Sequence, residues 1–365
     1  MGDYTHLHHS MNPSESEMKA LQYHPDERKL YINKVEIPKP GPSEVLIQIA
    51  CASLCHSDCL VFVPDFSVTK NVKLPTTLGH EATGYVVEAG EEIAALETFV
   101  KGDPVGFLAS SGCGKCSACT TWSVIGCKDL DAQGFTSHGY FQEYVVVKAQ
   151  NVIKLPPHLH VASSAPLCCA GVTSFNAIGG CRQDMNGGDW IAIIGAGGVG
   201  QLGIQYAKAM GLNVIAIDIA PEQLETATSV GADHVFDATT YPKYLDEIQE
   251  ICPGGVHAAV NFTASAEAYA NMPHLIRGGG ILMAVGIPVE DPCFSIIDVS
   301  FGRYTIKGAC NGTVEDLKQC VEFSADNGIR PTVVFKQLED IPGVVEEMKA
   351  NKVKGRIGVL FADRS

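Results

Sequence analysis

Two styles of hydrophobic patterning divide the chain. From Met18 to about Val147 the apolar residues come in short β-type runs. Examples are Val45-Leu-Ile-Gln-Ile49, Thr83-Gly-Tyr-Val-Val-Glu88 and Tyr140-Phe-Gln-Glu-Tyr-Val-Val-Val147. Pro and Gly punctuate them, as in Pro38-Lys-Pro-Gly-Pro42 and Lys101-Gly-Asp-Pro104, so a β-rich domain with irregular loops is predicted. Near Pro166 the style changes. Trp190-Ile-Ala-Ile-Ile194 reads as a short strand buried on both faces, followed by a glycine turn and a helix over Gln201 to Met210. A strand at Asn213–Asp218 and a helix from Glu222 to Val230 come next. Further strands are predicted at His234–Phe236, Ala258–Phe262 and Ile281–Val285, with Gly278-Gly-Gly280 as a turn before the last. Strand and helix alternating over short loops predict an α/β fold with a doubly wound parallel sheet. From about Thr305 the pattern closes with a helix (Val314 to Ala325) and a final strand, Arg356–Phe361.

Length and composition narrow the functional classes. A chain of 365 residues, 46% hydrophobic and 18% charged, has material for two domains and an ample core. Its net charge of −15 argues against nucleic acid and anionic membrane surfaces as partners. No apolar run reaches membrane-spanning length. The first residues lack an apolar signal core, and His6 breaks the myristoylation pattern, so a cytoplasmic address is expected by default. His6, His8 and His9 fall in a polar segment expected to be a flexible tail, residues 1–17.

Cysteine spacing adds the first chemistry. Cys113, Cys116, Cys119 and Cys127 follow the order C-x2-C-x2-C-x7-C. Four thiolates close a tetrahedral zinc site with no open position, which folds a loop rather than reacting. Buried free thiols or disulfides are the alternative, and a reducing compartment disfavours the second.

A cofactor loop follows the first buried strand. Gly195-Ala-Gly197-Gly198-Val199-Gly200 matches G-x-G-x-x-G between a strand and a helix, the context in which glycines let backbone approach a pyrophosphate at a helix N-terminus. Asp218 ends the second strand, 18 residues after Gly200. A carboxylate there would bind the ribose hydroxyls of NAD and repel the 2′-phosphate of NADP, and Ile219–Gln223 offers no base to neutralise that phosphate.

Three further residues have the makings of a catalytic metal site. Cys55 lies in Cys-His-Ser-Asp58, His80 in Gly-His-Glu81, and Cys169 in Cys168-Cys-Ala-Gly-Val-Thr173. Two thiolates and an imidazole would leave zinc a fourth, open position. Taken singly, each cysteine also reads as a buried apolar residue and His80 as a satisfied core histidine.

In this order the motifs resemble the zinc-dependent alcohol dehydrogenases of the medium-chain dehydrogenase/reductase superfamily, from about residue 18 to residue 362. The resemblance implies a GroES-like catalytic domain over 18–165 carrying the structural zinc lobe. It implies a Rossmann NAD-binding domain over 166–304 and a return to the catalytic domain over 305–365. Two zinc ions per chain and NAD(H) follow from it. Cys55, His80 and Cys169 would bind the catalytic zinc, Glu81 would be the carboxylate able to approach it, and Asp58 would orient His80. Ser57 would accept the substrate proton. His56 would meet the pyrophosphate, with Thr173, Val285 and Ile287 near the nicotinamide. The run from Cys127 to Cys169 lacks the insertion of the dimeric animal enzymes, which implies a homotetramer, with a homodimer as the alternative.

Several positions depart from the family pattern. Leu60 stands where relatives carry the outer histidine of a proton relay. Gly312-Thr-Val314 replaces Gly-Thr-Arg, and Gln223 replaces a lysine that often follows the ribose aspartate. Leu108 or Ala109 falls where small-alcohol enzymes place a bulky aromatic, and Phe62 and Phe66 add apolar side chains. Leu60 implies another route for the proton, Val314 and Gln223 imply a missing phosphate contact and modest NAD affinity, and the last positions predict a primary alcohol or aldehyde substrate larger than ethanol. Two other readings stay open: a reductase of conjugated double bonds or iminium ions, and an NAD-binding redox-sensing protein using Cys168 beside Cys169.

Overall fold

The strand Glu44–Leu54 is buried along nearly its whole length and carries β-branched or small apolar residues on both faces, which suits a central strand. In the computed structural model it organises a seven-stranded sheet ordered Val152–Lys154, Pro104–Phe107, Glu81–Ala89, Glu44–Leu54, Arg356–Leu360 and Val333–Lys336, with Tyr144–Lys148 also paired to Glu44–Leu54. The structure describes residues 16–63, 75–121, 123–288, 290–350, 352–353 and 355–362. A smaller sheet joins Lys29–Glu36, Glu17–His24 and Thr76–Thr77. Ile47, Ile49, Leu54, Phe107, Tyr140 and Phe141 are fully or almost fully buried in the core of this unit. It comprises the described residues up to Cys169, Thr313–Ala325, and those from Thr332 onward.

The second unit, Ala170–Gly312 with Asp326–Pro331, is the doubly wound one. Six parallel strands run in the order His234–Asp237, Asn213–Asp218, Trp190–Ile194, Val256–Asn261, Ile276–Ala284 and Tyr304–Gly308. The order reverses between Trp190–Ile194 and Val256–Asn261, so a ligand crevice is expected at the carboxyl ends of those two strands. Helices such as Gly200–Ala209 cover the sheet, which is why its strands read as continuous apolar runs.

Four expectations change. Gly278-Gly-Gly280 is not a turn but part of the strand Ile276–Ala284. Its pairing shifts register between Val256 and Ala258, and Gly279 takes φ +78°, a conformation that only glycine adopts without strain. Tyr304–Gly308 is a sixth strand of this sheet, so the chain returns to the first unit at Thr313 rather than near 305. Its alternating, half-exposed pattern is that of an edge strand and gave no buried run to read. The run from Tyr140 becomes a strand only at Tyr144, because the N–H groups of Tyr140 and Phe141 bond to Gly79 and Leu78 carbonyls instead of a ladder. The first strand begins at Glu17, inside the expected tail; His6, His8 and His9 lie outside the described residues.

Candidate metal and cofactor sites

Four ligand-type side chains from three distant segments meet in the first unit. Cys55, His80, Glu81 and Cys169 are all buried by their surroundings, and one donor atom from each lies within 4.8 Å of the others. Each is fixed by local structure. Cys55 caps the 3-10 turn His56–Phe62: its N–H donates to Asp58 Oδ2 (2.9 Å), and the Asp58 N–H returns to the Cys55 carbonyl (3.0 Å). His80 follows Gly79, whose φ of +96° turns the chain into the strand Glu81–Ala89. Cys169 ends the 3-10 segment Ala162–Cys168, just before the helix Ala170–Arg182.

Asp58 does two jobs. Besides holding Cys55, its Oδ1 lies 2.8 Å from His80 Nδ1. The carboxylate accepts, so Nδ1 carries a proton and Nε2 is the nitrogen left to face a metal, which would displace any proton held there. Burial works to lower the His80 pKa, but the charge and hydrogen bond of Asp58 leave it raised well above the usual histidine range. Hydrogen bonding with Cys169 holds the Cys55 thiol well below its ordinary range, and the same contact pushes Cys169 up. Two sulfurs and an imidazole nitrogen converging beside a carboxylate fit a divalent cation with N/S preference, which zinc is.

Two residues at this site carried no local signal in the sequence. Ser53 donates its hydroxyl to Glu81 Oε2 (2.6 Å), and Arg356 reaches the same oxygen from the last strand, 275 residues away. Glu81 Oε1 has no partner among the described residues. Burial pushes the Glu81 carboxyl to about 7 against the opposing charge of Arg356.

The second cluster is contiguous. Cys113, Cys116, Cys119 and Cys127 again bring their sulfurs within 4.8 Å of one another, but three of the four are half-exposed. The helix Ser117–Thr121 and the turn Val124–Gly126 form the lobe, pinned where Ser110–Ser111 pairs with Asp131–Ala132. A Cβ at Gly112 would lie 2.5 Å from Cys119 Sγ, so the cradle leaves no room for a side chain there. Hydrogen bonds from the backbone of Lys115 and Cys116 bring the Cys113 thiol to about 7. Four converging sulfurs and no open position fit a structural zinc.

The glycine loop opens the second unit. Gly195 has φ +85°, and a Cβ at Gly200 would sit 1.8 Å from the Gly195 carbonyl, so loop and helix meet with no space for a side chain. Gly197, by contrast, has no atom within 4 Å of where its Cβ would be, which leaves that face of the loop open. Gly198 and Val199 complete the turn into the helix Gly200–Ala209. Asp218 closes the loop from the next strand: its carboxylate accepts from Ala196 N–H (2.7 Å) and Ala220 N–H (2.9 Å) and stays half-exposed. The open backbone face and the half-exposed carboxylate fit a dinucleotide's pyrophosphate and ribose. Thr173 is buried and donates its hydroxyl to Asn311 (3.1 Å). Val285 and Gln223 are half-buried, and Ile287 is 61% exposed. In the first unit His56 is exposed and Ser57 half-buried.

The residues expected to shape a wide substrate channel are engaged in packing. Leu108 and Ala109 are buried, and Ala109 belongs to the core of the first unit. Phe62 packs edge-on against Tyr23 (5.0 Å) beneath the Lys349 ammonium (3.7 Å); Phe66 lies outside the described residues. A cavity of about 320 Å³ in the same unit is lined by Gln22, Thr77, His138 and Gln142 among others, none of them a residue singled out by the sequence motifs.

Comparison with known proteins matches residues 41–157 to the alcohol dehydrogenase GroES-like domain and residues 198–326 to the zinc-binding dehydrogenase domain. The chain is 35% identical over 343 residues to an alcohol dehydrogenase of Geobacillus stearothermophilus, covering 93% of this chain and 98% of that one. It is 33% identical to an alcohol dehydrogenase of Rhizobium meliloti, covering 90% and 95%. The crystal structure of the alcohol dehydrogenase from the archaeon Aeropyrum pernix superposes with a TM-score of 0.84 at 31% identity, covering 94% and 99%.

Proposed function

The chain belongs to the zinc-dependent alcohol dehydrogenase family of the medium-chain dehydrogenase/reductase superfamily, and from that premise we propose the roles of its residues and the scope of its substrate. Family membership makes it an NAD(H)-dependent oxidoreductase of alcohol and aldehyde groups. The observation that carries the finer reading is the buried meeting of Cys55, His80, Glu81 and Cys169. We assign Cys55, His80 and Cys169 as ligands of a catalytic zinc, and Cys113, Cys116, Cys119 and Cys127 as ligands of a structural one. The unit bearing both clusters is the catalytic domain, and the doubly wound unit is the cofactor domain.

A zinc ion so held supplies a Lewis acid that polarises an aldehyde oxygen or acidifies an alcohol, and bound NAD(H) supplies the hydride carrier. The chain's own residues do the rest. Asp58 fixes the His80 tautomer and the Cys55 backbone together, so two ligands share one anchor. Ser53 and Arg356 hold one oxygen of Glu81, leaving the other as the approachable one. Ser57, two residues after Cys55, would take the alcohol proton, and with Leu60 in place of a relay histidine no imidazole at that position carries the proton onward. Asp218 favours NAD over NADP, with Gly195, Gly197, Gly198, Val199 and Gly200 at the pyrophosphate. Gln223 offers no base at the ribose, so affinity for NAD is modest.

The substrate we propose is a primary alcohol or aldehyde larger than ethanol, supported by the absence of a bulky aromatic at Leu108 and Ala109. The redox-sensing reading loses ground because burial pushes the Cys168 thiol to about 12, far from a reactive thiolate. The enzyme is cytoplasmic in this reading; no helix among the described residues is long and apolar enough to cross a membrane. It assembles as a homotetramer or homodimer. Exposed apolar side chains on and just after the short helix Ile296–Ser300 (Ile296, Ile297, and Phe301 at 86% exposed), with Ile306 on the edge strand Tyr304–Gly308, support self-association.

A spectrophotometric NADH-oxidation series over aldehydes of graded size tests the substrate. Each buried methylene adds about 0.8 kcal/mol, roughly fourfold in kcat/KM, until the pocket is full. Acetaldehyde as the best substrate would remove the large-substrate reading. NADPH should perform well below NADH, and equal use of both would remove the role of Asp218.

A further inference from the structure

At the carboxyl end of the strand Val256–Asn261, where the strand order reverses, one buried amide ties together segments that sequence motifs treat separately. Asn261 is fully buried. Its Oδ1 accepts two hydrogen bonds from Thr263, from the backbone N–H (2.8 Å) and from the hydroxyl (2.8 Å). Its own carbonyl accepts from the N–H groups of Val285 (3.2 Å) and Gly286 (2.9 Å). Thr263, held in this way, sits between two glycines. Its methyl carbon would be 2.5 Å from a Cβ on Gly195, the first residue of the cofactor loop, and its carbonyl oxygen 2.0 Å from a Cβ on Gly286.

The amide orientation is dictated. Oδ1 must face the Thr263 N–H, because a backbone N–H has nothing to accept with, and this turns Nδ2 away. Nδ2 then finds no partner among the described residues. An apolar side chain here would leave no orphaned donor, so burial alone does not account for asparagine. What only the amide oxygen provides is a fixed rotamer of Thr263: with the hydroxyl tied down, the methyl is committed to the face of Gly195.

We propose that Asn261 is a positioning residue for the dinucleotide. Acting through Thr263, it sets the spacing between the Gly195 loop and the Val285–Ile287 segment, and so the two ends of the cofactor site. This rests on the NAD(H) assignment above. The geometry lies within the second unit and involves no metal ligand.

NADH binding to the full-length, zinc-loaded enzyme, followed by NADH fluorescence without aldehyde, tests the inference. Thr263→Val keeps the shape and removes the hydroxyl donor; Asn261→Leu removes the acceptor. Each should raise the NADH Kd about fivefold, and the double variant should raise it little further, because both cut one link. Steady-state kinetics should show the same split: KM for NADH rises, while kcat at saturating NADH and KM for aldehyde stay as they were. If Asn261→Leu fails to fold, Thr263→Val carries the test. A Thr263→Val enzyme with an unchanged Kd, or with only a lowered melting temperature, overturns the positioning role. Additive effects in the double variant overturn it as well. Unmodified enzyme that binds no NADH overturns the cofactor assignment and this inference with it.

Discussion

The two cysteine clusters use similar ligands and are built in opposite ways. The lobe at Cys113–Cys127 takes its four sulfurs from one short stretch, half-exposed, with little besides turns to hold it. The cluster at Cys55, His80 and Cys169 draws on three segments far apart in sequence, buries all of them, and surrounds them with Asp58, Ser53, Glu81 and Arg356. A contiguous site must be organised by its ion, since a loop of this length has few apolar contacts of its own. A dispersed site is organised by the fold: the strand and 3-10 ends that deliver its ligands stand on an extensive apolar core. Metal loss should therefore damage structure at the first site and chemistry at the second.

The largest effect should come from Cys55→Ser. Turnover should fall roughly a thousandfold or more, because several kcal/mol of transition-state stabilisation go with the ion. Melting temperature should hardly move, and elemental analysis should drop from two zinc ions per chain to one. A variant that unfolds as it loses activity would erase the proposed contrast. Cys116→Ser should show the reverse pattern, with poor folded yield and a lowered melting temperature. Losing about 4 kcal/mol from a unit of this size costs roughly 10 °C. Retained stability with lost activity would mean that the lobe serves chemistry directly. Asp58→Asn should have the smallest effect, a loss of about 10- to 100-fold in metal affinity or activity with the fold intact. Its amide still fills the space but no longer guarantees which His80 nitrogen carries the proton. Activity equal to the unmodified enzyme would show that His80 needs no such anchor.

The parts of the molecule legible in the sequence are those whose cause is local. The four-cysteine lobe, the strand–glycine loop–helix at Trp190–Ala209 and Asp218 at the next strand end all lie in short windows, and their meaning follows from spacing. The buried parallel strands were equally plain, because strands covered on both faces must be apolar throughout. The places where local reading failed share one physical reason. Gly278-Gly-Gly280 looks like a turn until a neighbouring strand supplies partners for its backbone. Tyr140-Phe141 looks like a strand until Leu78 and Gly79 take its N–H groups.

Tertiary structure alone decided the rest. Arg356 reaches Glu81 across 275 residues, and nothing in the composition of the last strand announces a buried ion pair. Asn261 reads as the polar end of a strand; only the fold sets it beside Thr263, and Thr263 between Gly195 and Gly286. Sequence determined which residues could bind metal and phosphate, because that depends on donor type and short-range spacing. The fold decided which of them are oriented, neutralised or left unpaired, because those depend on neighbours that only chain closure brings within about 3 Å.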